Sequence, residues 1–301
     1  MLLAVVAFVV VASPAQASEQ FGDVDTTLLS LKVTASGEAL VSYRKADGVR
    51  RDVLVWGAVN ALAPDSQRPQ VRFRFDYSGG WRTHGRGYAR AFQHRCRPYD
   101  GPPLALLVAA CTAPDGSFWA IQSWQRLLPM RGFDPFKPGH AAYELHLSHW
   151  SGPLPQLEVS PNWTYGGALQ GLFGRLTYLD QPVHGFRRAD RYSRYVYIDT
   201  LNSTYGPGWR RDTGIATHLR SGAFCYSFVR QAPPPGYPSS EPRGPGNGER
   251  HRVTVMGPGV TPITQWEGAG LQRYDPTADS AFNVLFDRLV GAADNVCSRE
   301  R

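Results

Sequence analysis

The sequence predicts an all-β protein, mainly an antiparallel sandwich or jelly roll, with one amphipathic helix at the C-terminal end. Three observations lead to this fold class. Short segments of alternating apolar and polar residues recur along most of the chain, glycine- and proline-containing turns separate them, and no regular succession of strand and helix is present.

The first three strands are predicted to follow one another through tight turns. Residues 29–33 alternate apolar and polar side chains, and Ser36-Gly37 can turn the chain into a second strand at 39–44. Asp47-Gly48 forms the next turn, into a strand within 49–59. The order of turns and strands predicts antiparallel neighbours.

The remaining strands differ in how their faces are patterned. The run Val53–Trp56 is apolar on both faces, which indicates a buried strand, whereas residues 71–77 alternate strictly and predict one core face and one wet face. Further strands are predicted at 106–111, 118–124, 143–149, 174–178, 183–187, 195–200, 223–229 and 252–256.

Only the end of the chain has a helical pattern. Asp275 can cap the helix and Pro276 suits its first position. An apolar stripe then follows at helical spacing: Phe282, Leu285, Phe286, Leu289 and Val290. This stripe predicts a helix packed on the β-rich region.

The domain organisation has two alternatives. Residues 18–301 form one β-rich region, or two sub-domains that meet at a soft boundary near 151–155, where the sequence is Ser-Gly-Pro-Leu-Pro. Residues 232–248 are rich in proline and glycine and have little to bury, so we expect a disordered loop inserted within a domain.

The beginning of the sequence predicts export. Leu2–Ala12 is apolar, and Ala15 and Ala17 have the spacing of a signal-peptidase site, although no lysine or arginine precedes the apolar run. We therefore expect a signal peptide at 1–17, a mature chain that begins at Ser18, and a secreted or extracytoplasmic location. No later stretch is long and apolar enough to predict a transmembrane helix.

The four cysteines predict two disulfides. Of the three possible pairings, proximity in sequence favours Cys96–Cys111, which leaves Cys225–Cys297. The sequence has no Cys-x-x-Cys and no short Cys/His cluster, so we expect no zinc site, no other metal and no cofactor.

The charge of the chain favours anionic partners. The formal net charge is +7, and 29 of the 32 basic residues are arginine, a bias typical of a high-GC bacterial genome. This bias weakens any argument for nucleic acid, which we do not expect as a partner. Wall phosphates and acidic glycans suit the charge; an evenly solvated surface is the alternative.

Catalytic motifs are absent from the sequence, which has no nucleophile elbow, phosphate loop or His-Glu-x-x-His. Alternation along the strand at 143–149 places Glu144, His146 and Ser148 on one face, where Glu144 and His146 are weak candidates for acid/base or metal chemistry. The alternative is an ordinary solvent-facing side of a strand.

Aromatic residues suggest a binding surface. The chain has eight Trp and fourteen Tyr, and two glycine-flanked loops display them beside polar groups. The candidate ligand-binding residues are Trp163, Tyr165, Tyr205, Trp209, Arg210 and Arg211. Tryptophan and tyrosine stack on the apolar faces of sugars. The alternative is that these rings close the ends of the core.

The function that these observations favour is non-catalytic. We expect an exported binding or envelope-associated protein whose ligand is a glycan or an anionic polymer, with cell-wall or extracellular polysaccharide as the partner. The alternative is a secreted hydrolase that acts on glycosides or esters, which would need a cleft where ionisable groups converge.

Overall fold

The computed structural model describes residues 18–59, 73–125, 142–165, 169–183, 196–212, 215–218, 222–228, 233, 246–257 and 260–271, with only the backbone at 162–165, 169–170 and 215–218. The predicted signal peptide, the predicted C-terminal helix and most of the predicted loop at 232–248 lie outside the described residues. Where the chain is described, it is mostly β-strand in antiparallel sheets, which confirms the all-β prediction.

The first half of the chain forms two sheets. Its strands are β1 (Glu19–Val24), β2 (Thr27–Val33), β3 (Ala39–Arg44), β4 (Arg50–Gly57), β5 (Phe73–Asp76), β6 (Arg97–Pro98), β7 (Leu107–Thr112), β8 (Phe118–Gln125) and β9 (Tyr143–Trp150). One sheet has the order β1-β9-β8-β7-β6 and the other the order β2-β3-β4-β5. Two one-turn helices, α1 (Trp81–His84) and α2 (Tyr88–Ala91), follow β5.

These two sheets share one apolar core. Trp119, Ile121, Leu145 and Leu147 from the first sheet lie in the same cluster as Val41, Tyr43, Val53 and Val55 from the second. Strands β3 and β4 are buried on both faces because Leu40 and Leu54, on the outer face, are covered by Phe92 just after α2. The two-sided apolar pattern at Val53–Trp56 reflects this second layer.

The second half of the chain also forms two sheets. Its strands are β10 (Gln156–Tyr165), β11 (Leu169–Tyr178), β12 (Gln181–Pro182), β13 (Val196–Ser203), β14 (Gly206–Arg211), β15 (Ile215–His218), β16 (Ala223–Ser227), β17 (Arg250–Val255) and β18 (Thr264–Ala269). The orders are β10-β11-β16-β15, with β12 beside β11, and β14-β13-β17-β18. Leu172, Phe224, Ile198 and Val253 belong to the core between them.

A buried junction joins the two pairs of sheets. Trp124 on β8 packs with Tyr197, Met256 and Ile263 from the second half. The fully buried side chain of Gln122 forms hydrogen bonds with both backbone groups of Ile263: its Nε2 donates to the carbonyl oxygen at 2.9 Å, and its Oε1 accepts from the backbone N–H at 2.8 Å. The halves on either side of residues 151–155 therefore contact each other through polar and apolar groups.

The structure contains the predicted Cys96–Cys111 disulfide, which ties the chain beside β6 to β7. Cys225 is also disulfide-bonded, while its predicted partner Cys297 lies outside the described residues. Within the described part of the chain, no helix has the length and apolar character needed to span a membrane.

Candidate functional site

The second predicted aromatic loop lies largely inside the fold. The side chain of Tyr205 is buried, and its hydroxyl donates to Asp212 Oδ2 at 3.1 Å, while Tyr226 donates to Oδ1 of the same carboxylate at 2.7 Å. Arg210 is also buried and its Nε donates to the carbonyl oxygen of Pro207. Tyr205 and Arg210 therefore bond to groups within the protein and expose little area to a ligand.

The guanidinium of Arg211 is held by a buried carboxylate. Its Nε and Nη2 donate to the two oxygens of Asp199, which is completely buried and also accepts from Arg252. Arg211 lies over the rings of Trp124 and Tyr197, at 5.1 Å and 4.8 Å from their centroids. A buried carboxylate with two guanidinium partners is an internal ion-pair cluster at the junction.

Arg252 also covers Trp209, with its guanidinium carbon 4.2 Å from the ring centroid. The side chains of Trp163 and Tyr165 lie outside the described part of the structure. The two predicted aromatic loops lie largely on strands, at the end of β10 and on β14, and a ligand-binding role for them stays a prediction.

The second candidate set forms a hydrogen-bonded chain of three groups. His146 Nε2 lies 3.1 Å from Glu144 Oε2, and His146 Nδ1 lies 3.3 Å from the hydroxyl of Ser18. Because an ionised carboxylate can only accept, a neutral imidazole places its single N–H on Nε2 and leaves Nδ1 to accept from the serine hydroxyl. Carboxylate, imidazole and hydroxyl stand in the order found in acyl-transfer triads, but with the two ring nitrogens exchanged, since in those triads Nδ1 faces the carboxylate and Nε2 the hydroxyl.

This chain is closed to solvent. Ser18 and His146 are each 1% exposed and Glu144 is 8% exposed, because this face of β9 packs at the junction. The alternative of a solvent-facing strand side is therefore wrong. Ser148 on the same face is also buried, and its hydroxyl has no hydrogen-bond partner among the described residues. The geometry can orient a proton, but the hydroxyl of Ser18 is covered.

A further exposed basic region, which the alternation of apolar and polar residues does not reveal, lies at residues 78–97. We call it the arginine-rich segment. It contains five arginines, and no acidic residue occurs between Asp76 and Asp100. All five arginines are exposed and have no ion-pair partner within the described part of the chain: Arg82, Arg86, Arg90, Arg95 and Arg97. A long arginine run without acids is the sequence signal that could have revealed this surface.

The segment begins at a carboxylate anchor. Asp76 Oδ1 accepts from the backbone N–H and the hydroxyl of Ser78, and Oδ2 accepts from the hydroxyl of Thr83 at 2.9 Å. Burial raises the pKa of Asp76, but these hydrogen bonds outweigh it and hold the pKa below its ordinary value. The carboxylate therefore stays ionised and fixes the entry into α1.

The middle of the segment is anchored to the β2–β3 turn. Glu38 accepts a hydrogen bond from the hydroxyl of Tyr88 at 2.7 Å and lies 3.2 Å from His84 Nε2. The rings of His84 and Tyr88 stack on each other, with centroids 4.2 Å apart. Burial, and then the bond to Glu38, raises the pKa of Tyr88 to about 12. Tyr88 therefore remains a donor at neutral pH.

The end of the segment is held by backbone and covalent bonds. Arg95 N–H donates to the carbonyl oxygen of Val33, and Val33 N–H donates to His94 Nδ1 at 3.1 Å. Phe92 packs on the outer face of the sheet, and the Cys96–Cys111 disulfide closes the segment. These contacts hold the arginines on a rigid support, which lowers the conformational entropy lost when a ligand binds.

The fold and these sites define a disulfide-bonded, antiparallel all-β protein with an arginine-rich exposed surface and a buried carboxylate–imidazole–hydroxyl chain. Comparison with protein-family models, with curated proteins and with solved structures finds no match. Any function is therefore argued from the sites themselves.

Proposed function

We propose that the protein is an exported, non-catalytic binding protein of the cell envelope that holds an anionic polymer on its arginine-rich segment. The observation that carries this proposal is the set of exposed arginines without carboxylate partners in the described part of the chain. The segment has five of the 32 basic residues and no acid, so the rest of the chain has 27 basic against 25 acidic residues. Most of the net charge of +7 is therefore concentrated there.

Arginine suits such a ligand because its planar guanidinium can donate two parallel hydrogen bonds to a carboxylate or phosphate. Repeated anionic groups along a polymer can engage several arginines at once, which raises the total affinity. The candidate polymers are acidic glycans and wall phosphates. The end of β10, which contains Trp163 and Tyr165, remains a further candidate surface for the same ligand.

Two observations support the export part of the proposal. The predicted signal peptide at 1–17 directs the chain out of the cytoplasm, and the Cys96–Cys111 disulfide is compatible with an oxidising compartment. Mass determination of the protein recovered from the producing cells tests the cleavage, because the proposal requires a mature chain that begins at Ser18.

The binding test removes three charges from the segment. We expect Arg82→Gln, Arg86→Gln and Arg90→Gln together to weaken binding to polygalacturonate and to long-chain polyphosphate by roughly tenfold or more, because the contacts are charge-assisted hydrogen bonds. Dissociation constants are measured by biolayer interferometry at one ionic strength, with neutral dextran as the uncharged polymer.

The matched control removes three arginines from the other basic run of the sequence, by Arg187→Gln, Arg188→Gln and Arg191→Gln. It has the same net charge as the test variant, so the proposal predicts that it keeps near-normal affinity. Equal weakening by the two triple variants would show a general charge effect and overturn the assignment to the segment.

A second candidate function, hydrolysis of esters, is favoured by the Glu144–His146–Ser18 chain. If Ser18 is a nucleophile, a fluorophosphonate probe should label the wild type, and labelling should disappear in Ser18→Ala but persist in Ser148→Ala, which removes a neighbouring buried hydroxyl. An unlabelled wild-type protein would exclude serine-hydrolase chemistry at this chain of groups.

A further inference from the structure

Trp81 stands exposed at the beginning of the arginine-rich segment. Its side chain is 54% exposed, an unusually large area for an indole, and residues 81–87 are all exposed. The segment is packed onto the sheet through Tyr88, Ala89 and Phe92, and Trp81 is not part of that cluster. In the described part of the chain, no aromatic or cationic group lies against the indole ring of Trp81.

An open indole followed, one and five residues further along the chain, by the exposed arginines Arg82 and Arg86 matches one class of anionic polymer well. In a polymer of uronic acids, each sugar has an apolar C–H face on which an indole can stack and a carboxylate that can accept from arginine. Polyphosphate has the charge but no face for stacking. Trp81 therefore adds a preference for uronic-acid polymers over polyphosphate, which charge alone does not give.

We propose that the arginine-rich segment selects a uronic-acid glycan, with one sugar ring stacked on Trp81 and the adjacent carboxylates bound by Arg82 and Arg86. This inference rests on the proposed function, since it names the class of polymer that the same surface takes. Single-stranded nucleic acid also combines stacking with charge, but it typically binds along a series of aromatic side chains. Within the segment, Trp81 is the only large aromatic residue that is exposed to this degree.

The test compares Trp81→Ala with Tyr143→Ala, which removes an aromatic side chain of similar exposure (51%) at the start of β9, outside the segment. Neither residue lies in an apolar core cluster. Dissociation constants are measured for polygalacturonate, long-chain polyphosphate, an unstructured oligonucleotide and phosphatidylglycerol vesicles. Circular dichroism and thermal melting confirm that both variants are folded.

The inference predicts that Trp81→Ala weakens polygalacturonate binding by roughly tenfold, a typical size for an aromatic contact, and changes polyphosphate binding less than about twofold. Trp81→Tyr should restore most of the lost affinity because a smaller aromatic face remains. Tyr143→Ala should bind all probes like the wild type.

Other outcomes overturn the inference in distinct ways. Equal effects of Trp81→Ala on both polymers, or no effect on either, would leave a charge-only surface and so overturn the uronate preference without overturning the proposed function. A Trp81 effect confined to the oligonucleotide or the vesicles would assign the site to nucleic acid or lipid instead. Absence of wild-type binding to every polyanion would overturn both proposals.

Discussion

His149 is held in the core, where burial disfavours the charged form of its imidazole. Its Nδ1 lies 3.0 Å from the carbonyl oxygen of Gly57, its Nε2 lies 2.9 Å from the hydroxyl of Ser117, and its ring stacks on Trp119 with centroids 3.8 Å apart. Burial lowers the pKa of His149 to about 4, although Gly57 and Asp115 oppose the shift. The imidazole is therefore neutral at neutral pH.

This depressed pKa predicts an acid-sensitive fold. An unfolded histidine titrates near pH 6.5, so between about pH 6.5 and 4 the unfolded chain binds a proton that the folded chain does not. The contribution of His149 to the free energy of unfolding is thus complete above pH 6.5 and decreases as the pH falls, by up to about 3 kcal/mol near pH 4. Urea unfolding of wild type and His149→Gln at pH 7 and pH 4.5 measures this difference.

We expect His149→Gln to lose less stability between the two pH values than the wild type, whatever its stability at pH 7. His251 is also buried, and burial lowers its pKa to about 4, so His149→Gln should leave part of the pH dependence intact. In the double variant His149→Gln/His251→Gln, the free energy of unfolding should depend still less on pH. The same pH dependence in wild type and both variants would rule out these histidines as its source.

At the scale of strands, sequence patterns predicted the interior of the sheets better than their edges. Apart from the two-residue strands β6 and β12, the strands that alternation did not predict are β1, β10, β14, β15 and β18, and each lies at the edge of its sheet. Edge strands have fewer neighbours to bury their side chains against, so their apolar positions are fewer and less regular. The central strands, by contrast, were predicted close to their observed positions, except that only the second half of β11, at 174–178, was predicted.

The candidate sites show the same limit. Alternation correctly placed Glu144, His146 and Ser148 on one face of β9, but could not show that a second pair of sheets covers that face. The contacts that hold the middle and the end of the arginine-rich segment come from Glu38 and Val33, which are distant in sequence. Contacts between distant residues leave no local pattern, so the segment was visible only as a run of charge.

The rigidity of the arginine-rich segment depends on one close backbone approach. Gly80 has φ +89°, and a Cβ at this position would lie 2.4 Å from Tyr88 Cδ1. Gly80→Ala should therefore move Tyr88 away from Glu38 and weaken the polyanion affinity without removing any charge. The control is Gly87→Ala, because Gly87 has the same left-handed conformation (φ 85°, ψ −4°, against φ 89°, ψ −1° at Gly80) but open space around the added methyl group.

Both alanine variants introduce the same left-handed backbone cost, on the order of 1 kcal/mol, so their difference isolates the clash with Tyr88. We expect Gly80→Ala to have the lower melting temperature and the weaker binding to polygalacturonate. Thermal melting and biolayer interferometry on both variants provide the comparison. If Gly80→Ala and Gly87→Ala bind equally, the position of Tyr88 does not control the surface.

For the molecule as a whole, the junction between the two pairs of sheets determines whether they unfold together or independently. The chain after β17 returns to the first half, where Val260 joins the first core and its carbonyl oxygen accepts from the backbone N–H of His149 at 3.1 Å. Gln122 binds the next part of this return, at Ile263, and also donates to the carbonyl oxygen of Ala105. Buried polar groups of this kind cost free energy when their partners are removed.

Gln122→Leu keeps the approximate volume of the side chain but leaves both backbone groups of Ile263 without their buried partner, at a cost of about 1–3 kcal/mol for each group. Because Ile263 directly precedes β18, we expect faster hydrogen exchange in β17 and β18 of the second half as well as in β8. Hydrogen exchange with mass spectrometry on wild type and variant measures the protection of each strand.

The control is Gln265→Leu, which breaks a hydrogen bond to Thr254 within the second half alone and should leave β8 protected. Faster exchange confined to the first half in Gln122→Leu would mean that the two pairs of sheets open independently, since the lost bonds would then not couple them.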